Sequence, residues 1–379
     1  IKSITENANL VECMAFSPVG KVLATGGCHP SGFPNCAGGE INLWDVETRQ
    51  PVGESLKGAP NIVTSLAYSP DGKILAAGSC AESGKSQLEQ KFKGVNESFA
   101  QECGQGEIRL WNTETRQLIS QPLTARSDFV SMLAFSPDGK ILVSSDNNNL
   151  TLWNVESRQP LGEITTGHQS KTGSEVARPV RSITFSSDGK TLASSGCAKI
   201  ERKTLYMRYL DVCIAGEIRL WDVATRQLIG QPLTGHMDVI TSVAFSPDGK
   251  TLASTSGSLD ETTVKLWDVA TRQPLPRAFT GYVTDTRKVI FSPDGEILAL
   301  AANKGSDNNY THNVFLWNVA TRELIGRQPL TVHDAFIRDI AFSPDGRMLA
   351  SGGYDKMLLW DMSLESWIGH ACRIANRNL

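Results

Sequence analysis

An excess of charge of one sign is what this sequence most plainly lacks. Against 37 Lys and Arg stand 40 Asp and Glu, a formal net charge of −3 over 379 residues. That balance gives no electrostatic drive toward nucleic acid or an anionic membrane, so a partner must be recognised locally. No apolar run is long enough to cross a bilayer as a helix, which argues against a membrane partner. The opening IKSITENANL has neither the charged nor the apolar region of a secretion signal. It also lacks an initiator Met, from which a piece of a longer or processed polypeptide is expected. There is no phosphate-cradling Gly-x4-Gly-Lys-Ser/Thr loop, no His-Glu-x2-His helix and no Gly-x-Ser-x-Gly elbow in strand–helix context. The six histidines, His29, His168, His236, His312, His333 and His370, are scattered. No catalytic residue, metal site or cofactor is therefore expected, because function has to be argued from a site.

What is present is repetition. Residues Gly235 to Gln273 contain three alternating runs, VITSVAF, KTLASTS and TVKLWDV, separated by Ser246-Pro247-Asp248-Gly249 and Ser256-Gly257-Ser258. Period and turn chemistry together predict three short antiparallel strands. The same Phe/Tyr-Ser-Pro/Ser-x-Gly turn begins at Phe16, Tyr68, Phe135, Phe185, Phe245, Phe291 and Phe342. One tryptophan follows each: Trp44, Trp111, Trp153, Trp221, Trp267, Trp317 and Trp360, every one succeeded by Asp or Asn. A sheet of this size cannot bury its own faces, so the copies are expected to form one repeat array over 1–362, with 363–379 as a tail.

These motifs resemble the WD-repeat β-propeller family, with Trp-Asp at 44–45, 221–222, 267–268 and 360–361 and Gly-His at 167–168 and 235–236. The resemblance implies an all-β fold, a seven-bladed β-propeller of four-stranded antiparallel blades. Strand order d-a-b-c then makes the segment around Lys2 to Thr5 the outer strand of the last blade, closing the ring. Four of the Gly-His positions depart from the pattern: Gly58-Ala59, Ala125-Arg126, Gly281-Tyr282 and Val332-His333. In the family a His, a strand-b Ser, a b–c turn Asp and the Trp form a buried network, matched most fully here by His236, Ser254, Asp260 and Trp267. That set is expected to be structural rather than catalytic. The tail, with Ser363 and Glu365 placed to start a helix, is expected to form a short helix on the propeller. It is also similar to the segment ending the WD-repeat half of large bacterial, notably cyanobacterial, signalling ATPases of the STAND class.

The repeat is broken in blades 1, 2 and 4, where the b–c connection gains roughly 10–25 residues, beyond ordinary hairpin length. Loops of that size carry function or disorder, and the propeller topology that the resemblance implies would put them all on one face. Cys28, Cys80 and Cys197 each lie 12 residues after the Phe or Tyr of the turn, and Cys36, Cys103 and Cys213 each lie 8 residues before the Trp. The second cysteine opens a shared pattern, CAGGEI, CGQGEI and CIAGEI. Equal offsets put each pair at the neck of a hairpin, where a disulfide could close the loop. A zinc site and reduced thiols are the alternatives, and Cys13 and Cys372 have no equivalents.

Candidate binding residues are the loop aromatics Phe33, Phe92, Phe99, Tyr206, Tyr209, Tyr282 and Tyr310, which could anchor a partner or merely pack their own loops. The one basic stretch is KIERKTLYMR at 199–208. On the opposite face Arg49, Arg116, Arg158, Arg226, Arg272 and Arg322 lie near the Asp-Gly turns, where exposed ion pairs are expected. The function expected is non-enzymatic recognition of a protein or other macromolecule by the b–c face. The resemblance adds a sensor role in a larger ATPase, with a cytoplasmic location that sits uneasily with disulfides. A constitutive scaffold and a propeller hydrolase are the alternatives.

Overall fold

A computed structural model describes residues 2–3, 10–30, 36–59, 61–82, 103–125, 129–146, 148–169, 180–205, 208–257, 263–276, 279–280, 284–304, 311–326 and 329–363. Among these residues there are strands and turns and no helix. The proposed tail helix, like Phe33, Phe92, Phe99, Tyr206, Asp260, Tyr282, Tyr310 and Cys372, lies outside the described residues.

The strands form seven antiparallel sheets among the described residues. The N-terminal strand β1 (Lys2–Ser3) stands apart from the first sheet, which holds β2 (Leu10–Phe16), β3 (Val22–Pro30) and β4 (Cys36–Asp45). The second holds β5 (Ser65–Tyr68), β6 (Ile74–Glu82), β7 (Cys103–Asn112) and β8 (Leu123–Thr124). The third holds β9 (Met132–Phe135), β10 (Ile141–Asp146), β11 (Asn149–Asn154) and β12 (Pro160–Thr165). In the fourth are β13 (Ser182–Phe185), β14 (Thr191–Leu205), β15 (Arg208–Asp222) and β16 (Leu233–His236). In the fifth are β17 (Ile240–Phe245), β18 (Thr251–Ser256), β19 (Thr263–Asp268) and β20 (Phe279–Thr280). The sixth comprises β21 (Thr284–Phe291), β22 (Ile297–Lys304), β23 (Thr311–Asn318) and β24 (Leu330–His333). The seventh comprises β25 (Ile337–Phe342), β26 (Met348–Gly353) and β27 (Met357–Asp361), and here β1 returns, pairing Lys2 with Leu359 and Ser3 with Leu358.

Turn chemistry accounts for the regular hairpins. In the second sheet Ser69 Oγ donates to Asp71 Oδ1 at 2.6 Å and accepts the Ile74 N–H at 2.9 Å, while the Gly72 N–H closes the turn on the Ser69 carbonyl at 2.8 Å. Gly72 has φ +73°, a conformation glycine adopts without strain. The same Ser–Asp pair recurs at Asp138, Asp188, Asp248, Asp294 and Asp345. These aspartates are thus engaged inside their own turns. The arginines hold the left-handed position of the c–d turns, φ 59–62°. Arg226 reaches the preceding sheet, donating to the Leu161 carbonyl at 3.2 Å.

The apolar sides of successive sheets face each other. Each of seven buried clusters is drawn from two neighbouring sheets, and the seventh joins Val11, Met14 and Leu23 of the first to Ala350, Met357 and Leu359 of the last. Burial of this kind, about 25 cal/mol per Å² of apolar surface, is what one sheet alone cannot obtain.

Candidate functional site

The insertions begin where the b–c hairpins leave the sheets. In the fourth sheet β14 and β15 run on for 15 residues each, against 6 in β18 and β19. Cys197 and Cys213 are disulfide-bonded across this hairpin, with Cα atoms 5.9 Å apart. Cys28 and Cys80 are disulfide-bonded as well. Of their candidate partners only strand positions are described: Cys36 stands opposite Pro30, and Cys103 opposite Glu82. Tyr209 stands opposite Thr204 in the outer part of the ribbon. Cys13 is buried and free, its thiol pushed well up by burial and by the nearby Asp339 and Glu12 carboxylates.

The shared Gly-Glu-Ile after the second cysteine has a structural meaning. Ile41, Ile108 and Ile218 are fully buried. A Cβ on Gly216 would lie 2.2 Å from the Asp238 carbonyl, in the connection between β16 and β17, so only glycine fits there. The glutamate completes a buried network in the fourth sheet. His168 Nε2 and Trp221 Nε1 both meet Ser194 Oγ at 2.9 Å, and His168 Nδ1 meets Glu217 Oε1 at 2.9 Å. Arg219 donates to the same carboxylate at 2.8 Å. Burial pushes the Glu217 carboxyl up, but the hydrogen bonds and charges of His168 and Arg219 outweigh it and hold it low.

A second complete network lies in the seventh sheet, where His333 joins Ser351 at 2.8 Å and Asp355 at 2.9 Å, and Trp360 donates to Ser351 at 2.9 Å. The sequence had marked Val332-His333 as a departure because its glycine is missing. The imidazole carries the bonds, so the loss of the glycine does not remove them. In the fifth sheet His236 and Trp267 both bond Ser254 at 2.7 Å, with Ser256 on the other imidazole nitrogen at 3.0 Å. Burial, then the charge of Lys265, lowers the His236 pKa to about 3, so the ring is neutral. In all three cases the His comes from the strand or loop ending one sheet and its partners belong to the next, so these networks bolt neighbours together.

One cluster lies outside the repeat motifs. Where the seventh sheet meets the first, Arg338 pairs with Glu12 at 3.0 Å and lies over the Tyr354 ring at 4.8 Å. Asp339 Oδ2 accepts the Met14 N–H at 2.9 Å, and Lys288 approaches its other oxygen at 3.4 Å. At the equivalent place Ser65, Ser182 and Ser242 accept an N–H from the next sheet. Comparing IRDIAF with ITSVAF and VRSITF would have shown the charged substitution. On the face carrying the c–d turns, a cleft of about 420 Å³ lies between Glu54–Lys57 and Arg116–Leu118, without a constellation suited to catalysis. Among the described residues no group of three or more His, Cys, Asp or Glu could hold a metal ion.

The WD domain, G-beta repeat family profile matches residues 1–45, 50–84, 117–154, 161–200, 227–268 and 326–361, more than half of the chain. The chain belongs to the WD-repeat family. It is 29% identical over 187 residues to the periodic tryptophan protein 2 homolog of Schizosaccharomyces pombe, a match covering 45% of this chain and 19% of that protein. Similarity to apoptotic protease-activating factor 1 of Rattus norvegicus extends over 360 residues at 26% identity, 83% of this chain and 27% of the relative. An uncharacterized WD repeat-containing protein of Synechocystis is 25% identical over 197 residues, covering 52% of this chain and 42% of its own length. The chain thus spans only about a fifth to two fifths of these curated relatives. As a WD-repeat protein it is a protein-interaction domain.

Proposed function

We propose that the seven sheets are the blades of one closed propeller that recognises a protein or other macromolecular ligand, without catalysis, through the b–c insertions of blades 1, 2 and 4. The observation that carries this reading is the contrast in wiring along the b–c hairpins. Up to the neck, Glu217 and Ser194 bond His168, and Arg219 donates to the Thr166 carbonyl, so these side chains of blade 4 are engaged with the blade before it. Beyond the neck the hairpin of blade 4 continues as a ribbon with no described strand beside it. Material that the blades do not need, placed at the same position three times, is what a binding surface on a rigid scaffold looks like.

The long match to apoptotic protease-activating factor 1 and the similarity to a cyanobacterial WD-repeat protein support a further step. In it the propeller is the sensor part of a cytoplasmic STAND-type ATPase, and the aromatics of the insertions anchor the ligand. The test is affinity capture by the wild-type chain against a variant whose three insertions are trimmed to the length of the 146–149 hairpin of blade 3. Loss of specific partners on trimming supports the rim as the site. An unchanged partner set would overturn it and favour a constitutive scaffold that works through another face.

A further inference from the structure

Resting on that reading of the rim, we propose that the neck disulfides are redox gates, the clearest being Cys197–Cys213. Oxidised, this bond holds the blade 4 ribbon in one pose against the sheet; reduced, it frees the ribbon while the blades stay folded.

From Thr191 to Cys197 strand β14 pairs residue for residue with β15, down to Cys197 opposite Gly216. The register then shifts twice, between Cys197 and Lys199 and between Lys199 and Ile200, before Ile200 resumes opposite Cys213. An interrupted ladder is where a two-stranded ribbon bends most easily. Cys197 lies on the sheet side of the interruption and Cys213 on the ribbon side, so the disulfide spans the hinge.

The arrangement is repeated. In blade 1 the register shift falls between Cys28 and Pro30, with Cys36 opposite Pro30 beyond it. In blade 2 it falls between Ala81 and Glu82, with Cys80 before it and Cys103 opposite Glu82 beyond it. Three insertions therefore have the same construction, a broken ladder with one cysteine on each side. A merely structural staple has no need to sit at the point of greatest weakness each time.

Two further features separate ribbon from blade. From Ile200 to Leu205 and Arg208 to Cys213 the ribbon pairs only with itself among the described residues, and an isolated hairpin is marginal in water. The neck also touches the neighbouring d–a loop: the Gln169 N–H donates to the Cys197 carbonyl at 2.8 Å, and the Ile200 N–H donates to Gln169 Oε1 at 3.1 Å. Gln169 follows His168, whose bonds to Ser194 and Glu217 lie wholly on the sheet side. Reduction would thus loosen the ribbon and this loop together, and leave the core network intact.

The chemistry balances with a dithiol of the thioredoxin type as reductant. Its thiolate attacks one sulfur, the Cys197–Cys213 bond breaks, and two electrons and two protons end on the two thiols while the reductant becomes a disulfide.

The test is hydrogen exchange, followed by mass spectrometry, on the whole chain with and without dithiothreitol. Amides of 199–205 and 208–213 are expected to exchange at least about tenfold faster after reduction, and to regain protection on reoxidation. The double variant Cys197→Ser/Cys213→Ser should show the fast pattern at every potential, and β17 to β19 should not change in either case. Equal ribbon protection in both states overturns the proposal, as does simultaneous loss of protection in β17 to β19. So does a bond that alkylation shows dithiothreitol leaves intact in the folded chain. No partner enters this measurement, so its failure leaves the capture experiment standing, and a failed capture leaves the gate standing.

Discussion

Blades 4 and 5 are neighbours built on the same turn and the same Trp-Asp, and they solve one problem differently. Both must bond the second nitrogen of a buried histidine. Blade 5 has a short connection in sequence and uses Ser256, the last residue of β18. Blade 4 has a ribbon where that turn would be, and uses Glu217 from the middle of β15. Because the carboxylate sits on the sheet side of the neck, the connection beyond can lengthen without disturbing the blade. The core of blade 4 is in this sense insulated from its own insertion.

Removing the shared element should affect both blades alike and most severely. Trp221→Ala and Trp267→Ala each take away a buried indole, 6% and 1% exposed, and should each cost about 3–5 kcal/mol in urea unfolding. A much smaller loss in one would show that the two blades are not equivalent.

The next test separates them. Glu217→Ala leaves His168 and Arg219 without their common acceptor and should cost about 2–4 kcal/mol, whereas Ser256→Ala removes one neutral bond and should cost about 1 kcal/mol. Equal losses would remove the distinction between a charged and a neutral solution.

Titration sharpens the same contrast. His236 has a folded pKa lowered from 6.5 to about 3, so between those values the unfolded chain binds the extra proton and stability falls as pH falls. Glu217 and Asp355 are held below their ordinary values, so their contribution is present above the ordinary carboxylate range. It is lost as pH drops through it toward their folded values. His236→Asn should therefore flatten the stability profile between pH 6.5 and about 4.5 and leave the more acidic limb in place. Melting midpoints measured across pH 3.5–7.5 would check this.

The smallest effect is expected at the turn arginines. Arg226→Gly relieves a left-handed backbone, φ 62°, but loses the bond to the Leu161 carbonyl, and should change stability by less than about 1 kcal/mol. Arg226→Ala keeps the strain and loses the bond, and should cost about 1 kcal/mol more than Arg226→Gly in the same denaturation assay.

Much of this was legible in the one-dimensional pattern. The Ser-Pro-Asp-Gly turns and the Trp positions predict the hairpins because turn conformation and strand alternation are local properties of a few residues. The equal cysteine offsets mark the necks of the three hairpins because strands paired in register convert sequence distance into position. The roles of Glu217, His333 and Asp355 were not legible, since each is defined by a partner more than a residue-turn away or in the adjoining sheet. The Gly-His motif marks His236 and passes over His333, although both imidazoles bond their serine.

By itself the sequence determined the repeat: seven copies of one turn and one tryptophan, an alternation that makes strands, and in three of them two cysteines at equal offsets. Only the tertiary structure decided what holds one sheet to the next. It placed Glu12 against Arg338 and Met14 against Asp339 across more than 320 residues of chain, and it put the break in the β14–β15 ladder between Cys197 and Cys213. Local propensities fix a strand and its turn. Contacts between sheets depend on which groups the packing of one sheet on another brings together, and no window of neighbouring residues contains that information.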